Sequence, residues 1–266
     1  MEKTEGYIQT SDNGKIYYTE QGSGQPIVFI HGWSSTGEHS FGHLAAALCE
    51  QARCIFYDLR GHGKSYSYNA SSITRLTEDL HDLIAELDLH DVILVGHSLG
   101  GLIIYDYFQK YDGARISGVT VLDMSPKVLC DSDWDYGLRR ANDPMHSSME
   151  HMMQGMAGEF MTMGGWALKA ASNMMSAFSP VPYGSVLYTL WLDMLDADFR
   201  RGARKINVPM TYFYTESGMY PATVAGWLRR NVQGNFKSVD LHPHNHFTML
   251  METRKILPEI YALLKK

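Results

Sequence analysis

Val92-Ile93-Leu94-Val95-Gly96-His97-Ser98-Leu99-Gly100 places four consecutive apolar residues before a turn of the form G-x-S-x-G, and a helical stretch continues to about Tyr111. A short, unbroken apolar run reads as a strand covered on both faces. The flanking glycines let a strand turn sharply into a helix and let neighbouring backbones approach, which pushes the serine side chain out above the sheet. The five-residue pattern alone is a weak signal. The strand before it and the helix after it turn it into a nucleophile elbow rather than a glycine-rich turn with an incidental serine.

Outward from this point the same grammar repeats in both directions. Upstream lie an apolar run over residues 27–30, a helix over 39–50, a strand over 54–57 and a helix over 74–87. Downstream lie strands over residues 119–122, 210–214 and 237–241, with helices near 222–230 and from 249 onward. Alternating strands and helices imply right-handed crossovers and a mostly parallel sheet with helices on both faces. At the start of the chain, alternating runs over 6–10 and 15–20 flank Asn13-Gly14, a pair that tolerates positive φ and reads as a hairpin. Counting the hairpin, the expectation is an α/β fold around an eight-stranded sheet.

The alternation stops between residues 127 and 205. Met145, Met149, Met152, Met153, Met156, Met161, Met163, Met174, Met175 and Met194 fall in this stretch, ten of the chain's sixteen methionines, together with Trp134, Trp166 and Trp191. We read it as a helical cap inserted into one domain, with core segments 1–126 and 206–266 on either side. The methionines either pack the cap against the core or line a lipophilic pocket, since flexible thioethers suit both uses.

Composition bounds the partners. Over 266 residues, 45% are apolar and 20% charged, which is ordinary for a globular enzyme. A net charge of −6 argues against a nucleic-acid partner, which would need a basic surface. The basic run at residues 200–205 reads as a solvated loop or helix end. Neither a signal-peptide core nor a membrane-length apolar stretch is seen, so a cytoplasmic protein without a membrane partner is expected. Cys49, Cys54 and Cys130 lack C-x-x-C spacing and read as reduced thiols. No metal cluster or dinucleotide fingerprint appears, so no metal and no cofactor is expected. A homo-oligomer is compatible with this sequence.

A serine hydroxyl is a poor nucleophile at neutral pH and needs an adjacent base. Among twelve histidines, His246 follows the last predicted strand and precedes the last helix, at the strand-end side where ligand loops gather. His242 and His244 share that loop and are its competitors. An oxyanion needs two aligned donors. One candidate is the backbone N–H of Leu99 at the start of a helix, where the dipole favours negative charge. The other is the backbone N–H of Trp33, in the loop His31-Gly32-Trp33-Ser34 after the strand at 27–30.

The order Phe29-Ile30-His31-Gly32-Trp33, then Asp58-Leu59-Arg60-Gly61-His62-Gly63-Lys64-Ser65, then Gly96-His97-Ser98-Leu99-Gly100-Gly101, then His246-Phe247 resembles the α/β-hydrolase superfamily. The esterase, perhydrolase and C–C-bond hydrolase branch is the best match. The resemblance covers about residues 6–125 and 206–266 and leaves the cap unmatched. It implies an α/β-hydrolase fold, with the Asp58-to-Ser65 block as a structural turn outside the catalytic set.

The family's third residue is an acid that orients the histidine. The resemblance expects it after the seventh strand, and Pro209-Met210-Thr211-Tyr212-Phe213-Tyr214-Thr215-Glu216-Ser217-Gly218 puts Gly218 there. Two replacements are open. Glu216 is two residues early, and Asp123 ends the preceding strand, where haloalkane dehalogenases of this superfamily carry their acid. We favour Asp123, with Glu216 as the alternative. Dehalogenases and epoxide hydrolases use a carboxylate where this chain has Ser98, which argues against both activities. The expected function is a carboxylesterase acting on a small or medium lipophilic ester through a Ser98 acyl-enzyme. Alternatives are a C–C-bond hydrolase, a cofactor-free perhydrolase, or a small-molecule receptor that keeps the serine and histidine without turnover.

Overall fold

A computed structural model describes residues 2–65, 71–138 and 186–265 of the chain. Among the described residues eight strands form one sheet: β1 (Lys3–Gln9), β2 (Lys15–Gln21), β3 (Gln25–Ile30), β4 (Ala52–Tyr57), β5 (Val92–His97), β6 (Ile116–Leu122), β7 (Met210–Tyr214) and β8 (Phe236–Asp240). Their spatial order is β1-β2-β4-β3-β5-β6-β7-β8. From β4 to β8 every pairing is parallel, and only β1–β2 and β2–β4 are antiparallel. The expected eight-stranded, mostly parallel sheet is therefore what the chain forms.

Period-two alternation in the central strands divides the apolar side chains between two layers. Ile27 and Phe29 point to one side, where Phe41, Leu44 and Leu48 of α1 (Gly37–Leu48) and Ile256 and Ile260 of α7 (Thr253–Leu263) cover them. Val28 and Ile30 point to the other, against α2 (Ile73–Glu86), α3 (Leu99–Lys110) and α6 (Thr223–Asn231). Two further helices, α4 (Val186–Leu195) and α5 (Arg200–Ala203), lie between β6 and β7 in sequence.

Helix ends follow their caps. Thr36 accepts from the N–H of His39 at 3.3 Å and starts α1 two residues ahead of the expected position. Ser72 accepts from the N–H of Arg75 at 3.1 Å and starts α2. The expected helix from Met249 is a 3₁₀ turn, Met249–Met251, with α7 starting only at Thr253. In the first hairpin it is Asn13 that takes a positive φ of 66°. The basic run at 200–205 begins a short helix, and Arg200 pairs with Asp198 at 2.6 Å and Asp133 at 3.0 Å, over the ring of Trp134. Trp166 and the expected cap methionines other than Met194 lie outside the described residues, whereas Trp134, Trp191 and Met194 are buried in the core layer that also holds α2 and α3. No described helix is long and apolar enough to cross a membrane.

Candidate active site

Ser98 sits between the end of β5 and the first residue of α3, with φ 54° and ψ −121°. A side chain other than glycine is strained there, and the surroundings must hold it. They do so by close backbone approach. A Cβ on Gly96 would come within 2.5 Å of the Gly100 carbonyl, and one on Gly100 within 2.1 Å of the Ile30 carbonyl. The elbow thus closes only if both positions lack a side chain, which is the physical content of the G-x-S-x-G pattern. Leu99 opens α3, and its backbone N–H finds no partner among the described residues. Gly32 packs against the serine, since a Cβ there would lie 3.2 Å from the Ser98 Cβ. That contact puts the loop carrying Trp33 beside Ser98.

His246 is buried in the loop after β8. Its Nδ1–H donates to Oδ2 of Asp123 at 2.7 Å, which leaves Nε2 as the nitrogen able to accept a proton. Asp123 follows β6 directly, takes a φ of 45° and is fully buried. Its Oδ2 also accepts from the backbone N–H of Met219 at 2.7 Å. Among the described residues Oδ1 has no hydrogen-bond partner. Glu216 is exposed, and no hydrogen bond joins it to His246.

The loop after β7, where the acid was expected from the family pattern, therefore serves a different purpose. A Cβ on Gly218 would stand 2.8 Å from both carboxylate oxygens of Asp123. The missing side chain at 218 makes room for the carboxylate at 123, and Met219 next to it donates to that carboxylate. The same loop is tied to the histidine loop by the Ser217–Asn245 bridge and by the Thr215 hydroxyl, which donates to the His244 carbonyl at 2.5 Å.

His244 Nε2 lies 3.1 Å from Glu252 Oε2. No hydrogen bond joins Ser98 Oγ to His246 among the described residues; such contacts are often loose before substrate binds. The two are linked instead through His97. Its Nε2–H donates to the His246 carbonyl at 2.8 Å, and the two rings lie 4.7 Å apart. Burial, with His246 beside it, pushes the His97 imidazole down to about 3, so it stays neutral as a donor. Sequence reasoning left His97 as the variable position of the motif, and the signal available was only that a polar residue stood inside a buried turn. The Met219 donor is a backbone group and leaves no trace in the residue pattern.

The Asp58-to-Ser65 block is a turn tied by hydrogen bonds to the segments around it. Asp58 accepts from the N–H groups of Gly37 at 3.1 Å and Lys64 at 2.9 Å, and the Ser65 hydroxyl donates back to the Asp58 carbonyl at 2.5 Å. His62 accepts from the N–H of Ser34 at 3.0 Å, and His31 accepts from that of Leu59 at 2.9 Å. The two imidazoles brace the loops after β3 and β4 against each other. Arg60 is fully buried between Asp79 at 2.5 Å and Asp12 at 2.8 Å. Among the described residues no hydrogen bond joins any of these side chains to Ser98. No cluster of metal-ligating residues occurs among the described residues.

Known proteins carry the same arrangement of elements. A non-heme chloroperoxidase of Kitasatospora aureofaciens is 37% identical over 125 residues, 47% of this chain and 46% of that protein. The chain spans about half the length of the curated relatives it matches. A bromoperoxidase from Bacillus anthracis superposes with a TM-score of 0.81 at 24% identity, covering 99% of this chain and 100% of that one. An esterase from Exiguobacterium antarcticum gives 0.80 at 23% identity, with 96% and 97% covered. At these identities the two structures speak for the fold alone. The family model described as "Alpha/beta hydrolase family" matches residues 27–255, from within β3 to beyond His246. With that match and this sheet order, the chain belongs to the α/β-hydrolase family.

Proposed function

We propose that the protein is a carboxylic-ester hydrolase in which Ser98 is the nucleophile, His246 its base and Asp123 the acid that orients the imidazole. The observation that carries the reading is the 2.7 Å bond from His246 Nδ1–H to a buried carboxylate. It fixes the tautomer that leaves Nε2 basic. Ser98 attacks the acyl carbon as Nε2 takes the hydroxyl proton; the resulting imidazolium is stabilised by Asp123 and passes its proton to the leaving alcohol. Water then attacks the acyl-serine, again with His246 as base, releasing the carboxylic acid and restoring the serine. The N–H groups of Leu99 and Trp33 are assigned to the oxyanion. A small or medium lipophilic ester is the proposed substrate.

The relative named as a non-heme chloroperoxidase supports a second reading on the same serine. If hydrogen peroxide replaces water in the second half, the acyl-serine is released as a peracid, which in turn oxidises halide. One experiment addresses both. The wild type is given p-nitrophenyl acetate and butyrate with and without hydrogen peroxide, and is labelled with a fluorophosphonate. Multiple turnovers and stoichiometric labelling, both lost in Ser98→Ala, are expected. Retention of turnover in Ser98→Ala would sink the mechanism. With bromide in the medium, bromination of a phenol-red reporter only when ester and peroxide are present together would favour the peracid branch.

A further inference from the structure

Trp33 holds two kinds of neighbour at once. Its backbone follows Gly32, which packs against Ser98, and its indole Nε1–H donates to the Leu187 carbonyl at 2.8 Å, 154 residues away in sequence. Leu187 lies in the first turn of α4, and Trp191, one turn further along, meets the Trp33 ring at 5.9 Å. An indole N–H bonded to a carbonyl fixes both the direction and the distance of the ring, where a ring contact alone would let it slide.

The helix that receives this bond is itself firmly held. Asp193 of α4 accepts from the N–H of Ile73, the first residue of α2, at 2.6 Å. Val186 covers Gly61 so closely that a Cβ there would meet its Cγ1 at 2.4 Å. Leu190, Trp191 and Met194 are buried in the core cluster. Contacts thus run without a gap from Ser98 through Gly32 and Trp33 into α4, and from α4 into the loop after β4 and the start of α2. A shift of α4 pulls on the peptide that carries one of the two assigned oxyanion donors.

Resting on the acyl-serine reading above, we propose that the Trp33 indole is a positioning group: its bond to the Leu187 carbonyl sets the orientation of the Trp33 backbone N–H, so that docking of α4 and competence of the oxyanion site are coupled. Loss of a whole donor costs about 10²–10³ in kcat, and loosening one costs part of that. Because the donor acts on charge that exists only in the transition state, the cost falls on kcat and leaves KM nearly unchanged. A ring that merely lined the substrate site would move KM instead.

The test compares wild type, Trp33→Phe, and protein in which the indole at position 33 is replaced by benzothienylalanine, an isostere without the N–H. Each keeps the backbone N–H and an aromatic ring. Turnover of p-nitrophenyl butyrate and inhibition by an alkyl trifluoromethyl ketone, whose hemiketal oxyanion mimics the intermediate, are measured alongside thermal melting. Folded variants are expected to lose about 10- to 100-fold in kcat with KM within about threefold, and to bind the ketone more weakly by a similar factor. Wild-type kcat in the benzothienyl protein, or a loss confined to KM, overturns the proposal while the acyl-serine reading stands. A wild type that neither turns over esters nor takes up the fluorophosphonate overturns both. If Trp33→Phe does not fold, the benzothienyl protein decides alone.

Discussion

The carboxylate of Asp123 occupies space that a side chain at Gly218 would fill, 2.8 Å from its missing Cβ, and receives the Nδ1–H of His246 at 2.7 Å. A side chain at 218 would also come within 2.9 Å of the Thr215 carbonyl, so whether an acid there can replace the one at 123 is a matter for exchange. Asp123→Asn is expected to lower kcat on p-nitrophenyl butyrate by about 10⁴, because the amide no longer stabilises the imidazolium. Glu216→Gln is expected to stay within about twofold of wild type, since Glu216 is exposed and changes on such a surface are usually small. Comparable losses in both variants would contradict the assignment. Asp123 has a φ of 45°, which glycine adopts readily. In Asp123→Gly, adding Gly218→Asp should therefore recover activity by at least roughly tenfold, as a carboxylate is restored from the opposite wall; no recovery would mean that the loop after β7 cannot present an acid to His246. The ambiguity between positions 123 and 216 arose because one-dimensional spacing says where a loop begins but not how far its side chains reach across a sheet.

At the scale of the element, the elbow is a strand, a strained serine and a helix held together by contacts that exclude side chains. Gly100→Ala would drive a methyl group to about the 2.1 Å at which the built Cβ meets the Ile30 carbonyl, so β3 and α3 must separate. We expect a loss of about 2–4 kcal/mol in unfolding free energy, together with loss of fluorophosphonate labelling, read by urea denaturation and mass spectrometry. A fully stable and labelled Gly100→Ala protein would show that the approach of β3 to α3 is dispensable. These elements were legible because their periods are local: alternation splits Ile27 and Phe29 from Val28 and Ile30, and each pair meets a different helical layer. The ends were less so. α1 begins where Thr36 caps it, and the tail of the histidine loop tightens into a 3₁₀ turn before α7.

Across the whole molecule, buried histidines join the loops around the site. Burial holds His31 down to about 4 and His62, with His31 as its like-charged neighbour, down to about 3. In the unfolded chain both take up a proton near pH 6.5. Between that pH and their native values the unfolded state binds more protons, so stability is full above about pH 6.5 and falls as the pH drops toward 4. Each such histidine contributes a slope of about 1.4 kcal/mol per pH unit. His62→Asn, whose amide can still accept from the N–H of Ser34, is expected to flatten unfolding free energy against pH by about that amount between pH 6 and pH 4.5, whatever its stability at pH 7. An unchanged slope in urea titrations at pH 7, 6 and 5 would show that His62 is protonated in the native state.

The run from Val92 to Gly100, with alternating strands and helices on either side, was enough by itself to determine an α/β fold around a parallel sheet and to single out Ser98, because strand burial, turn geometry and helix initiation all act over a few residues. The histidine loop was also marked by its place between the last strand and the last helix. Which acid meets His246 was decided only by the tertiary structure. Asp123 lies 123 residues from His246 in sequence and reaches it because β6, β7 and β8 are neighbours in the sheet and Gly218 leaves its carboxylate room. The same holds for the bond from His97 to the His246 carbonyl and for the indole of Trp33 on α4: each is a contact between distant segments, set by how the layers pack.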